Sequence, residues 1–487
     1  MNRHLTILLL LTYGICYGQK NPTNKNIFSA EELKQDFTAF RTSLEECHPG
    51  LYLYKSKAVM DSIFQSTFTS LKEPMTDREF MILLCKVASQ VGDGHLRVVP
   101  PKIRLDSLDE GATAIPFNVY YYDEKLFVRR NYSTLNDKEF LGSQIISING
   151  HSIKDFINEF LTIFPSDGNN LTHKYKLLSS SRYFTRYFFM LYGYKEQYNV
   201  EYISLNETTP KTALMQGLTF DNLLKIADER YPDKIEEQKP AYFKISEDNT
   251  TAYMKFKSFD KGQYKKNKMD FEKFLNTSFE KMQSANTPNL IIDVRDNGGG
   301  TDEYGRILFS YFINQDFDYY KSLHMNKESF ETFKYTSKPD MKAPKGMLKP
   351  NNEGTFDNVQ HPNAGKQHPS SPTYKGNIYV LINGGCFSTT SEFLSLLHYH
   401  TKAIFIGEES GGGYYGNCSG PTPDFTLPNT KVRMEIPLMN YRMAVKDYQY
   451  SDRGIIPNYT VLPTVMDKIK DNDSELNFAN KLIGKEK

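Results

Sequence analysis

A serine at position 388 is placed where its hydroxyl can serve as a nucleophile. Residues 377–383 read Asn-Ile-Tyr-Val-Leu-Ile-Asn, a short apolar run of strand character. Gly384 and Gly385 follow, then Cys386, Phe387 and Ser388, and Thr389 opens a helical pattern through Phe393 and Leu397. A strand that turns directly into a helix exposes its first hydroxyl at the helix N-terminus. Backbone N–H groups and the helix dipole there favour negative charge. The same residues also spell a capping box, Thr389-x-x-Glu392, in which Ser388 is only part of a cap.

A serine nucleophile needs a base, and His95 stands out among ten histidines. It lies in Val91-Gly92-Asp93-Gly94-His95-Leu96-Arg97, a glycine turn leading into a strand, from which a side chain can project into a cleft. Its near-neutral pKa suits a general base. A third feature is Asp296-Asn297-Gly298-Gly299-Gly300 after the buried-strand pattern of residues 289–295. Three glycines between a strand and a helix let the backbone approach a bound group closely. No Gly-Lys-Ser/Thr follows, so this is not a phosphate loop. Its N–H groups suit half of an oxyanion hole, and a plain tight turn is the simpler alternative.

The elements that must position these groups fall into an order. Ser29-x-x-Glu32 and Thr76-x-x-Glu79 are capping boxes, and apolar stripes follow at helical spacing, with a third stripe over Ile63–Leu71 between them. Residues 28–100 therefore read as a helical N-terminal domain. Residues 112–205 read as a β-rich module, with two strands around Asp123-Glu124 and an Asn149-Gly150 turn before a helix. Residues 206–240, mixed in charge, read as a connector, and 241–470 as a catalytic domain of alternating strands and helices. A long insertion at 336–374 is rich in Pro, Asn, Lys and Gly. Loops of that length are disordered or functional as a rule. His361 and His368 lack supporting ligand spacing, and His398 and His400 sit two apart on a helix, so no metal site is expected.

The 487 residues carry 59 basic and 58 acidic side chains, which leaves no field directed at nucleic acid. Met1–Gly18 reads as a secretory signal peptide: Arg3 and His4, then an apolar core, then small residues before Gln19. Export to a periplasmic or extracellular compartment is expected. Membrane association is expected only if Cys16 is lipidated, and Ile15 before it makes a poor lipobox. Cys47, Cys85, Cys386 and Cys418 are scattered, with no C-x-x-C pair.

Taken in order, the head ending in Asp93-Gly94-His95, the run Gly142-Ser143-Gln144-Ile145-Ile146-Ser147-Ile148-Asn149-Gly150, the element Asp293-x-Arg295-x-Asn297-Gly-Gly-Gly, and Phe387-Ser388 followed by Gly407-Glu408-Glu409-Ser410-Gly411-Gly412-Gly413 resemble the C-terminal processing (tail-specific) serine peptidases, closest to their tricorn-core-like branch. The resemblance implies a multidomain α+β fold: a helical head, a PDZ-like β module and a crotonase-like (ClpP-type) β-β-α spiral catalytic domain. It implies a peptide or protein-tail substrate, engaged by the PDZ-like module, and no cofactor. Residue by residue it implies Ser388 as nucleophile and the backbone N–H groups of Thr389 and Gly299 as the oxyanion hole. Tail-specific members use a lysine base, and Gly411-Gly412-Gly413 holds none; the tricorn-like branch uses a histidine, which His95 matches. An acid late in the chain orients that histidine, and Asp452 is the nearest match here. Ser391 departs from the pattern, which carries Glu at that position. The rival expectation is a non-catalytic protein on the same fold that binds peptide or a hydrophobic ligand, with Ser388 a helix cap and His95 a structural turn.

Overall fold

Ser29 and Thr76 cap helices as their spacing predicts. In the computed structural model, which describes residues 27–101, 113–232 and 239–485, both capping boxes close: each hydroxyl accepts the N3 backbone N–H and each N3 glutamate accepts the cap N–H. The helices Ala30–Cys47, Lys57–Ser70 and Asp77–Val91 form the head. The third ends at Gly92, whose φ of 76° the chain needs to turn towards His95 and the strand Arg97–Val99. The predicted signal peptide, Cys16 included, lies outside the described residues.

The head does not fold apart from the rest. Leu33, Phe37, Phe40 and Leu84 share one continuous core with Met254, Leu290, Val380, Phe393 and Ile455. Asp36, fully buried, accepts hydrogen bonds from the N–H groups of Asn429 and Thr430 and from the Thr430 hydroxyl. Glu46 likewise accepts from the Glu331 and Thr332 N–H groups. The strand Arg97–Val99 pairs antiparallel with Arg433–Glu435. A histidine on the head is thereby tied to the body that carries the serine.

The body is built on a six-stranded sheet in the order 241–245, 251–256, 289–293, 377–382, 404–407, 459–460. The first pair is antiparallel and every later pair parallel. The strands Asn289–Asp293 and Asn377–Ile382 are buried almost throughout, as their unbroken apolar runs require. They are parallel neighbours, so the glycine turn after one and Ser388 after the other emerge at the same sheet edge.

A second six-stranded antiparallel sheet, from Phe117–Tyr122 to Lys211–Gln216, has its own core of Phe117, Phe140, Phe156, Phe160, Phe184 and Tyr198. Asp123 and Glu124, both at positive φ, make its first hairpin turn, and Asn149 and Gly150 its second. Two boundaries differ from expectation. Residues 206–240 are not a bare connector: Lys211–Gln216 pairs along Gln197–Ile203, and Phe220–Arg230 is a helix. The alternation Lys-Thr-Ala-Leu-Met-Gln is too polar to announce a strand until its partner is known. The helices Thr172–Leu178 and Ser181–Tyr192 also insert into what read as a β module.

The 336–374 insertion is ordered structure. Leu348–Pro350 and Phe356–Asn358 join Tyr320–Met325, Met439–Met443 and Gly416–Ser419 in a five-stranded sheet. His361 there pairs with Asp302 at 3.0 Å and His368 with Asp316 at 2.8 Å. The four described cysteines are buried and free. Among the described residues no helix is long and apolar enough to cross a membrane.

Candidate active site

Two loops at the shared sheet edge are knitted together. Asn383 accepts the Asp296 N–H at 3.0 Å and donates to the Asp296 carboxylate at 2.8 Å. Phe387 N–H donates to Asn297 O at 3.1 Å, and Cys386 Sγ to Val294 O at 3.1 Å. From the other side Gly411 and Gly412 both donate to Cys386 O, at 2.8 and 3.1 Å. Ser391 Oγ donates to Cys386 O and accepts the Gly412 N–H, so this serine fastens the turn to the glycine loop. A Cβ on Gly412 would stand 2.4 Å from Ser391 Oγ, which leaves no room for a lysine there.

Ser388 sits at the N-cap of the helix Thr389–His400 with φ 56° and ψ −131°. That backbone is rare outside glycine and costs about 1–3 kcal/mol. The side chain makes no capping hydrogen bond. The predicted capping box does not form either: Thr389 Oγ1 donates to Gly300 O, and Glu392 accepts from Tyr320 and Asn417 instead. A strained serine that caps nothing presents its hydroxyl outward, in the manner of a nucleophile elbow.

His95 Nε2 lies 3.2 Å from Ser388 Oγ. The ring of Phe387 stands between two imidazoles, stacked on His173 at 4.3 Å and tilted against His95 at 4.6 Å. His173 Nδ1 is 3.0 Å from Gly384 O, and burial pushes its pKa down to about 4, which makes it a weak proton acceptor. His95 differs. Burial opposes its charge, but the carboxylates of Asp93, Asp167 and Glu392 outweigh burial and hold it above the ordinary imidazole value.

Two acids reach His95, and neither is Asp452. Asp93 accepts the His95 backbone N–H at 2.8 Å. Asp167 accepts the N–H groups of Gly94 at 2.9 Å and Gly413 at 3.0 Å. Acceptor atoms of Asp93 and Asp167 and a ring nitrogen of His95 lie within 4.8 Å of one another. Asp452 instead accepts from Asn169 Nδ2 at 2.5 Å, and its backbone carbonyl takes the Asn169 N–H. It supports the loop that carries Asp167. Its place before Gly454-Ile455-Ile456-Pro457 resembles the expected acid only in sequence.

The two backbone N–H groups expected of an oxyanion hole, those of Thr389 and Gly299, differ in their surroundings. Thr389 N–H begins the helix and has no intrahelical partner, as expected of a first helical residue. Gly299 N–H donates to Asn297 Oδ1 at 3.0 Å, and Gly299 packs against Phe387 O, Ser388 Cβ and Thr389 N. Gly298 has open space around its Cα and faces the cavity that also holds Ser388 and His95. That cavity, about 690 Å³, is bounded by His173 and Lys176, by Tyr183 and Tyr187, and by the strand from Arg97.

Residues 250–461 match the model of peptidase family S41. Among solved structures, mature CPAF complexed with lactacystin aligns with a TM-score of 0.61 and 14% identity, covering 93% of this chain and 98% of that one. Mature CPAF alone gives 0.58 and 14%, over 93% and 96%. A photosystem II D1 C-terminal processing protease gives 0.42 and 13%, over 90% and 96%.

Proposed function

We propose that this chain, which belongs to peptidase family S41 and is a serine-type peptidase, cleaves peptides or protein tails with Ser388 as nucleophile and His95 as general base. The observation that carries this reading is the 3.2 Å approach of His95 Nε2 to Ser388 Oγ across two tied bodies of the fold. Ser388 Oγ attacks the scissile carbonyl carbon while its proton passes to His95 Nε2. The carbonyl oxygen becomes an oxyanion and is met by the N–H groups of Thr389 and Gly298. Collapse expels the amine, which takes the proton from Nε2 and leaves an acyl-serine. Water then repeats the sequence, with His95 taking its proton and returning it to Ser388. The Asp93 and Asp167 carboxylates favour the imidazolium formed in both halves.

The rival binding-protein reading makes Ser388 a helix cap, and the absence of any side-chain capping bond there weighs against it. The sheet from Phe117 to Gln216 is proposed as a PDZ-like module that takes a substrate tail by strand addition. The helical head and the crotonase-like spiral of the catalytic body belong to the same proposal. So does export, from the signal-like Met1–Gly18. The test is hydrolysis of a quenched peptide library, with labelling by a fluorophosphonate probe. Ser388→Ala is expected to abolish labelling and to reduce turnover by about a thousandfold or more. Undiminished turnover in purified Ser388→Ala protein overturns the mechanism.

A further inference from the structure

The cavity beside Ser388 holds several charges that hydrolysis does not use, and nearly all have partners. Lys176 Nζ lies 2.6 Å from Asp296 Oδ1, and Arg97 Nη1 lies 3.2 Å from Glu435 Oε2. Asp424 accepts from Arg433 Nε at 3.0 Å. Arg186 is the exception. It lines the same cavity, is partly buried, and has no hydrogen-bonding or ion-pair partner among the described residues. It belongs to the helix Ser181–Tyr192, where Tyr183, Arg186, Tyr187 and Met190 recur at three- and four-residue spacing and make one wall of the cavity. Cys85, Ala88 and Ile163 add to the apolar lining around it.

We infer that Arg186 binds a carboxylate of the substrate and so confers a preference for acidic groups near the scissile bond. A guanidinium keeps its charge at every working pH, and placing it without a counter-ion beside apolar walls is unfavourable. A carboxylate seated there regains that interaction in a bidentate, partly desolvated pair. The occupant follows from the peptidase reading, on which this inference rests. It is supported by the strand Arg97–Val99, which begins two residues after His95 and pairs on one side only, with Arg433–Glu435, among the described residues. Its other edge offers an extended peptide a rail along the cavity. The carboxylate has two sources, an Asp or Glu side chain or the substrate's own C-terminus.

The experiment uses the full chain and quenched peptides matched in pairs. A single Glu scanned along the peptide is compared with Gln, and a free C-terminus with its amide. Wild-type protein is expected to prefer one carboxylate-bearing series by about tenfold or more in kcat/KM, and the series that responds identifies the source. Arg186→Met is expected to bring that ratio near one, Arg186→Lys to retain part of it, and Arg186→Glu to turn preference towards Lys-containing peptides. Thermal melts establish that the variants fold. A wild type indifferent to the carboxylate, or a ratio that Arg186→Met leaves in place, overturns the inference. Anisotropy of the same peptides on Ser388→Ala protein separates the two readings. Arg186-dependent binding without any wild-type turnover would refute the peptidase mechanism and leave the carboxylate site standing. Turnover with no dependence on residue 186 would do the reverse.

Discussion

Asp93 Oδ1 stands 3.8 Å from His95 Nδ1, while Asp93 Oδ2 is bound by His48 Nε2 at 2.6 Å. Gly50 N–H donates to His48 Nδ1, which leaves the His48 proton on Nε2, pointed at Asp93. The acid is therefore fixed in place by a buried imidazole and by the His95 N–H, and it acts on the His95 ring through its field. His95 Nδ1 is buried with no hydrogen-bond partner. Such bonds are often long in free enzymes and tighten around the reacting substrate.

The acid limb of the pH profile tests which carboxylates matter. On the proposed mechanism His95 must be neutral to accept the serine proton; burial opposes its charge, and Asp93 and Asp167 raise its pKa against that effect. Activity is thus lost as pH falls through a value above the ordinary imidazole pKa of about 6.5. Asp167→Asn removes one of the raising charges, so the limb of kcat/KM is expected to move to lower pH. Burial and the Asp93 charge push Asp167 up to about 6, so the wild-type limb carries two titrations and the variant's fewer. Asp452→Asn is expected to leave the position of the limb unchanged. A limb that moves with residue 452 and not with 167 restores the late acid to the site.

Gly298 and Gly299 make opposite predictions although they are neighbours. A Cβ on Gly299 would stand 2.8 Å from both Phe387 O and Ser388 Cβ, at a φ of 95° that L-residues rarely adopt. Gly299→Ala is expected to displace Ser388 or Thr389 and cost about a hundredfold or more in kcat. Nothing lies within 4 Å of a Cβ on Gly298. Gly298→Ala keeps its N–H and is expected to retain the wild-type melting temperature. Equal losses of stability in the two variants would contradict the assigned geometry.

What could be read in advance was whatever local chemistry dictates. Capping boxes at Ser29 and Thr76, the Asn149-Gly150 turn and the strand running into Ser388 each depend on a few adjacent residues, and each holds at the level of local structure. Asp167 was not legible. Its Ser-Asp-Gly-Asn surroundings look like any polar turn, and only the docking of that loop between Gly94 and Gly413 gives it a role. The same holds for Gly298 against Gly299, since which N–H is free depends on where the Asn297 side chain points. Thr389-x-x-Glu392 failed as a capping box because buried Tyr320 and Asn417, remote in sequence, bind the glutamate. The helix Ser181–Tyr192 carries Tyr183, Phe184, Tyr187, Phe188, Phe189 and Tyr192, and the sequence alone does not say which of them face a core and which a cavity. One of its faces meets a hydrophobic core and another the cavity.

Docking of the head is itself open to test. Asp36 accepts three hydrogen bonds from Asn429 and Thr430, at 2.6–2.8 Å, in a fully buried position. Asp36→Ala leaves those donors without a partner, a loss on the order of 3 kcal/mol. The expected result is a lower melting temperature together with reduced kcat/KM well below that temperature, because this contact helps to dock the head that carries His95 on the body that carries Ser388. Full activity at low temperature in a destabilised Asp36→Ala protein would show that the remaining head–body contacts, the Glu46 bonds and the strand Arg97–Val99 among them, hold His95 against Ser388 without it.

Glu392 supplies a stability signal that is independent of turnover. It lies one turn into the helix behind Ser388, where burial and the Asp302 charge push its pKa up to about 7, partly opposed by hydrogen bonds from Asn417 and Tyr320. In the unfolded chain the ordinary glutamate value is about 4.3. Between those two values the folded protein binds the extra proton, so stability falls as pH rises through that window and the penalty is complete above it. Glu392→Gln mimics the protonated acid: its carbonyl can accept from Asn417 Nδ2 while its amide donates to the Tyr320 hydroxyl, which turns to accept. The variant should therefore melt higher than wild type at pH 8, by an amount on the order of 2–3 kcal/mol, and should lose most of that advantage at pH 5. Melting curves at the two pH values decide the matter. A variant that is less stable than wild type at pH 8 would mean that the ionised carboxylate is the form the fold prefers, held there by the hydrogen bonds of Tyr320 and Asn417.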